Sequence, residues 1–256
     1  MKRRLDVEMV RRRLVDSRSA AAHAIRQGQI IVTGIPLPKP ATLVGPDIAL
    51  RWITPPPRYV SRGGIKLEKA LEVFALDVAG LTAVDVGAST GGFTHCLLKH
   101  GVTKVVAVDV GYGQLHEHLR DDPRVVVVER TNIRHADPER LGAPFDLVVA
   151  DVSFISLLKI AAPLVNLGTP ETDYILLIKP QFEADYGSVN RRGVLTDPTV
   201  WNRTVATTLS GLSERGLGAV NLIRSPIEGA NGNREVLGRF RAGRSDIDPQ
   251  QLMEKM

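Results

Sequence analysis

One cysteine, Cys96, is all the sequence holds, so no disulfide closes within the chain and no thiolate cluster binds a metal. No stretch approaches the ~18 consecutive apolar residues of a membrane-spanning helix. The opening MKRRLDVEMVRRR is charged and lacks the apolar segment of a secretory signal. Internal repeats and low-complexity tracts are absent too. These absences predict a cytoplasmic protein with no metal and no membrane partner. What is present is 43% apolar content over 256 residues, enough for one sizeable core and a small extra module.

Charge is unevenly spread. Residues 1–66 carry 13 Lys or Arg against 4 Asp or Glu, a net of +9, while the remainder carries 20 against 24, a net of −4. A basic head on a mildly acidic body predicts that the head meets a polyanion. The head has the signals of a folded α+β module over 1–53. Apolar Leu5, Val7, Met9, Val10, Leu14 and Val15 are interleaved with Arg11, Arg12 and Arg13, which predicts an amphipathic helix with a basic side. Ser17 reads as the cap of a second helix that Gly28 stops. QIIVTG reads as a strand, and Gly45-Pro46-Asp47 as a turn between later strands. Three prolines in TPPPR predict an extended spacer, taken as 54–60.

From 61 to 243 a β-α rhythm follows, with 244–256 as a tail. TAVDV, KVVAVDV, RVVVV, FDLVVADV, DYILLIK, AVNLIRS and REVLGRF are seven strand candidates, with helices through 91–100, QLHEHLR, SLLKIAAPLV and 197–215. Such Val/Ile/Leu runs mark strands covered on both faces, so the expected class is α/β with a mostly parallel, Rossmann-like sheet.

The turn leaving the first of these strands, DVGASTGGF, is too rich in glycine for an ordinary connection. It is neither G-x-G-x-x-G nor G-x-x-x-x-G-K-[ST], which excludes the dinucleotide and triphosphate loops. Gly87, Gly91 and Gly92 allow close approach of a ligand, with Ser89 and Phe93 in the same turn. Asp109 ends the second strand, where a carboxylate accepts from ribose hydroxyls. The pattern is similar to the S-adenosylmethionine site of class I methyltransferases. That resemblance gives Asp85 the methionine ammonium and puts Asn132, after the third strand, near the adenine.

Two lysines and two acids fall at one sheet edge: Lys66 at a helix start, Asp151 after the fourth strand, Lys179 after the fifth and Glu235 at the last. A lysine beside another cation suits removal of a proton from a ribose 2′-hydroxyl, so Lys179 is the expected base or steering group. Asp151 is its partner, with Lys66 and Glu235 as supports. Transfer to an exocyclic amine asks for [ND]-P-P-[YF] where this chain has D-V-S-F, and the lone Cys96 sits where it serves as core filler rather than as the nucleophile of a C5 transfer. His116 and His118, two apart on an expected helix, point different ways and make a poor metal pair.

Residues 3–53 resemble an RNA-binding module of a small-subunit ribosomal protein. The resemblance implies phosphate contacts from Arg3, Arg4, Arg11, Arg12, Arg13, Arg18 and Arg26. With YVSRGGIKLEKAL, DVGASTGGFT, AVDVGYGQL, LVVADVSFISL, IKPQFE and GNREV, the chain from 3 to 241 resembles the TlyA family, described both as haemolysins and as ribosomal RNA 2′-O-methyltransferases with an FtsJ-like catalytic domain. It implies methylation of cytidine 2′-hydroxyls in ribosomal RNA, affecting sensitivity to capreomycin-type antibiotics, with ribosomal subunits as partners. The alternatives are a non-catalytic RNA-binding or ribosome assembly factor and a haemolysin.

Overall fold

The computed structural model describes every residue except Met1, Asp16, 54–56, Arg244 and Asp246. Most of the expected proline spacer's proline run thus lies outside the described residues. The chain divides into two compact units, Met1–Pro57 and Arg58–Met256.

The first unit holds β1 (Arg3–Arg4), α1 (Leu5–Arg11), α2 (Arg18–Arg26), β2 (Ile30–Val32), β3 (Leu43–Val44) and β4 (Leu50–Trp52). β1 pairs with β3 and β2 with β4, both antiparallel. Leu5, Met9, Ala21, Ala24, Ile25, Ile30, Val32 and Val44 form its core. Ser17 caps α2, its Oγ accepting from Ala20 N at 3.2 Å. The expected basic helix side is shorter than its sequence: α1 ends at Arg11, and Arg13 turns into the left-handed region at φ 57°. Two buried acids hold the arginines. Asp6 accepts from Nε and Nη2 of Arg4, at 3.0 and 2.8 Å, and lies 3.5 Å from Arg18. Glu8 accepts from Arg11 at 2.9 and 2.6 Å and from Arg12 at 2.8 Å. The Arg11 and Arg12 bonds hold the Glu8 carboxyl down at about 2.

The second unit runs α3 (Gly63–Val73), β5 (Thr82–Val86), α4 (Gly92–Lys99), β6 (Lys104–Val108), α5 (Glu117–Arg120), β7 (Val125–Val128), α6 (Pro138–Leu141), β8 (Leu147–Ala150), α7 (Ala161–Val165), β9 (Asp173–Ile178), α8 (Pro180–Glu183), α9 (Pro198–Glu214), β10 (Leu217–Arg224), β11 (Val236–Ala242) and α10 (Pro249–Glu254). Seven strands make one sheet in the order β10-β11-β9-β8-β5-β6-β7. The β5, β6, β7, β8 and β9 pairings are parallel; β11 enters antiparallel between β9 and β10. Alternate residues of each strand face opposite cores. Val84, Val106, Val148 and Leu176 meet the cluster that includes α7 and α9, whereas Ala83, Val105, Val149 and Ile175 meet the α3–α4 side. Two-sided burial is why the strands read as unbroken apolar runs.

Three expectations are corrected here. Tyr59, assigned to the spacer, is buried: its ring lies edge-on to His95 at 5.6 Å and against Gly64 of α3. The tail contains α10, capped by Asp248 and anchored by buried Leu252 in the α9 core. His116 precedes α5 and caps it, its Nδ1 accepting from His118 N, so the two imidazoles stack at 5.2 Å instead of diverging. Among the described residues no helix is long and apolar enough to cross a membrane, and no group of three or more His, Cys, Asp or Glu is set to hold a metal.

Candidate active site

The order of the sheet reverses between β5 and β8: the chain runs outward through β6 and β7, then returns to β8 and β9 on the other flank. Ligands of open α/β sheets sit beyond the carboxyl ends at such a reversal. There, Gly87 follows β5 at φ 84°, and a Cβ on it would lie 2.6 Å from the Asp151 carbonyl oxygen. Only glycine lets the two strand exits come this close.

Two adjoining cavities open at this edge. One of about 180 Å³ is lined by Gly63, Asp85, Gly92, Phe93 and Lys179 among others, and one of about 500 Å³ by Val108, Asp109, Asn132, Ile133 and Phe154 among others. Gly87, Ser89, Asp151 and Ser153 line both.

Asp85 is fully buried at the floor. Its Oδ2 accepts from Thr94 N at 2.9 Å and Thr94 Oγ1 at 2.7 Å, while Oδ1 has no partner. Burial pushes this carboxyl up to about 7, against the pull of Thr94 and with added repulsion from Asp151 and Asp109. A buried oxygen with nothing to accept is costly, and a cationic ligand relieves it. Asp109 is held by two backbone amides, Ser89 N at 2.8 Å and Gly111 N at 2.7 Å, which aim its carboxylate along the wall of the larger cavity. Asn132 lines the same cavity, but its Oδ1 already caps the turn at Ile133 by accepting from Arg134 N at 3.1 Å. Gly91 lines neither cavity: a Cβ there would strike Leu119 and Leu115, so this glycine serves the packing of α5.

The four lysines and acids form two ion pairs. Lys66 and Glu235, 7% and 4% exposed, are joined directly by a hydrogen bond. Lys179 Nζ lies 2.6 Å from Asp151 Oδ1 in an ion contact without hydrogen-bond geometry, and donates instead to Ser153 Oγ at 2.7 Å. Strand register brings the pairs together, since Glu235 and Lys179 both adjoin the Val236–Ile178 match of β11 and β9.

Ser153 and Phe154 are the site residues that reading D-V-S-F for its acid alone passes over. Phe154 is 91% exposed, adopts φ 63° and leans on the Phe182 ring at 5.1 Å. A bulky residue in the left-handed region is strained, and persists only when its surroundings impose it. Glu183 of α8 anchors the chain just beyond Phe154, accepting from Ser156 Oγ at 2.5 Å and Leu157 N at 2.7 Å.

A profile of the FtsJ-like methyltransferase family matches residues 59–241. The chain is 48% identical over 233 residues to the "16S/23S rRNA (cytidine-2'-O)-methyltransferase TlyA" of Mycobacterium tuberculosis, covering 91% of this chain and 87% of that protein. A haemolysin-named structure from Streptococcus thermophilus superposes with a TM-score of 0.74 at 33% identity, covering 99% of this chain and 95% of that one. A structure described as an S-adenosylmethionine-dependent methyltransferase from Listeria monocytogenes shares the fold alone, with a TM-score of 0.52 at 18% identity over 72% of this chain and all of that one. The sheet is therefore that of the class I methyltransferases, as the sequence led us to expect, and the chain belongs to the FtsJ-like methyltransferase family.

Proposed function

We propose that this protein transfers a methyl group from S-adenosylmethionine to a ribose 2′-hydroxyl of ribosomal RNA, a cytidine by analogy with its mycobacterial relative. The observation that carries the reading is the Lys179–Ser153 contact: a buried lysine already holds a hydroxyl, at 2.7 Å, on the wall of both cavities. The residues fit the cofactor at the unpartnered Asp85 Oδ1, a buried acceptor that the donor's ammonium would satisfy. Asp85 would take the ammonium, Asp109 the ribose hydroxyls, and the walls formed by Val108, Ile133 and Val152 the adenine. When bound, S-adenosylmethionine supplies a methyl group on a positively charged sulfur, open to in-line attack.

The chain's own part is alignment and proton handling. Lys179 takes the substrate hydroxyl in place of Ser153 and turns its lone pair toward the donor. Because Lys179 donates to that hydroxyl, Asp151, 2.6 Å from the amine, is the group that would accept the departing proton. Lys66 and Glu235 neutralise each other at the neighbouring strand end and so support the crevice without adding net charge. The exposed Phe154 ring offers a stacking face to a base swung out of its helix. In the first unit, Asp6 and Glu8 hold Arg4, Arg11 and Arg18 for phosphates, with Arg3, Arg13 and Arg26 exposed beside them, whereas Arg12, expected among them, gives its donors to Glu8 and to the Ile48 and Pro46 carbonyls and serves the fold instead. Loss of the modification would lower sensitivity to capreomycin-type antibiotics.

The test is mass mapping of ribosomal RNA from cells with and without the protein, alongside transfer of labelled methyl to unmodified ribosomal subunits. A 2′-O-methylcytidine that vanishes with the protein supports the reading; label on a base atom, or none, overturns it.

Asp85 makes cofactor affinity depend on pH. An ammonium on Oδ1 needs the carboxylate ionised, and this carboxyl titrates at about 7. Below pH 7 binding must first expel a proton, so affinity drops by about tenfold per pH unit, and above pH 7 it levels off. Calorimetry between pH 5.5 and 8 reads both the slope and the released proton. A flat profile would remove Asp85 from the ammonium site. Asp85→Asn is expected to bind weakly with no such slope.

A further inference from the structure

The β10–β11 hairpin treats its two ends differently. At the end far from the crevice, Arg239 and Arg241 both clamp Asp173, at 2.6 and 2.9 Å. At the crevice end, Arg224 and Arg234 are exposed and, among the described residues, neither is in an ion pair. Between them lies a cavity of about 300 Å³ that extends to Trp201, Asn202, Ser225 and Glu235. Glu235 is the same carboxylate that holds Lys66. Glu235 precedes Val236, which pairs in register with Ile178, so this cavity reaches the strand end beside the one that leads into Lys179.

The segment that carries these groups is fixed in place. Trp201 Nε1 donates to the Arg234 carbonyl at 3.1 Å, and Ser225 N to the Glu235 carbonyl at 2.9 Å. Asn233, buried, ties the same turn to the 193–195 loop by donating to the Gly193 carbonyl and accepting from Leu195 N. Alternation then sends Arg234 outward and Glu235 inward. Arg224 pairs in register with Val236, and Val236 with Ile178, so Arg224 stands two strands from the one that ends at Lys179. Two strand spacings are about 10 Å, a span that one neighbouring nucleotide bridges.

We propose that this cavity receives the nucleotide next to the one methylated, with Arg224 and Arg234 on its phosphate and Asn202 and Ser225 at the edge of its base. The volume is at the low end of ligand sites, which run from roughly 300 to 1,000 Å³, so one nucleotide fits and a stacked pair does not. Guanidinium groups without carboxylate partners are free to fork onto a phosphate. The hydrogen-bonding side chains beside them give the site a means to prefer one base, which the arginines alone lack. The inference rests on the functional reading above, because it supplies that reaction with a neighbouring-nucleotide subsite.

Arg224→Ala, Arg234→Ala and the double variant test it, with Lys104→Ala, an exposed cation at the opposite sheet edge, as the control. Methyl transfer to unmodified ribosomal subunits is measured against substrate concentration, and binding to protein-free ribosomal RNA against potassium chloride. Each arginine removed is expected to raise KM for subunits about tenfold and to cut the salt slope of RNA binding by about one, with S-adenosylmethionine affinity unchanged. KM and slope equal to wild type would overturn the inference. So would a loss seen on subunits but not on protein-free RNA, which would make the surface a contact for ribosomal protein. Wild-type protein that transfers no methyl to subunits would overturn the functional reading instead, and the salt slopes would still report on the cavity.

Discussion

Lys179→Ala is expected to slow methyl transfer to ribosomal subunits by roughly 10²–10⁴-fold, with S-adenosylmethionine still bound. The side chain is 9% exposed and makes both polar contacts that matter, to Ser153 and to Asp151. Removing it takes away the group that orients the attacking hydroxyl and leaves Asp151 Oδ1 without its cation. The donor's ammonium and ribose are assigned to Asp85 and Asp109, neither of which Lys179 touches, so equilibrium binding should change little. Lys179→Met keeps most of the aliphatic stem while removing the ammonium that lies 5.9 Å from the Phe182 ring centroid, and so separates lost chemistry from lost packing. Single-turnover transfer and calorimetry on the same preparations decide the matter. A variant that methylates at the wild-type rate would leave the lysine a structural ion-pair member and nothing more.

Breaking the second pair should show in stability as much as in rate. Lys66 and Glu235 are both nearly inaccessible, so Glu235→Leu strands an ammonium with no counter-charge, and Lys66→Met strands a carboxylate. Removing one partner of a buried pair costs about 3–5 kcal/mol, a fall in Tm of roughly 6–20 °C for a unit of this size. Replacing both, Lys66→Met with Glu235→Leu, removes the stranded charge and should return most of the lost stability while activity stays low. Thermal unfolding of the four proteins completes the cycle. Single variants within a degree of wild type would mean that water reaches the pair, and its supporting role as a buried ion pair would have to be abandoned.

The strands and their terminal acids are legible because one physical cause writes both. A strand buried on two faces needs an apolar run, and a ligand at its carboxyl end needs a polar residue where the run stops; Asp109, Asp151 and Lys179 all sit there. Places where chemistry overrides periodicity are less legible. SLLKIAAPLV reads as one helix, but Pro163 lacks an N–H and its ring crowds the carbonyl four residues back, at Lys159. The chain takes a 3₁₀ turn at Leu157–Lys159 before α7 begins. Asp248-Pro249 is a helix-start signal that could be read in advance, yet α10 stays hidden when the last residues are taken as a tail. Ser153 and Phe154 leave no periodic trace at all. Their importance comes from one backbone angle and one hydrogen bond, which only the folded chain creates.

The place of β11 carries a consequence for the order of manufacture. Translation delivers β5 through β9 first, yet the strand that must slot in beside β9 is made last, and Lys66 waits 169 residues for the carboxylate that neutralises it. Until β11 docks, the sheet lacks a strand beside β9 and Lys66 lacks its counter-charge. Closing the sheet and neutralising Lys66 are therefore one event, so a change that keeps β11 from docking empties the site of its order as surely as it opens the core.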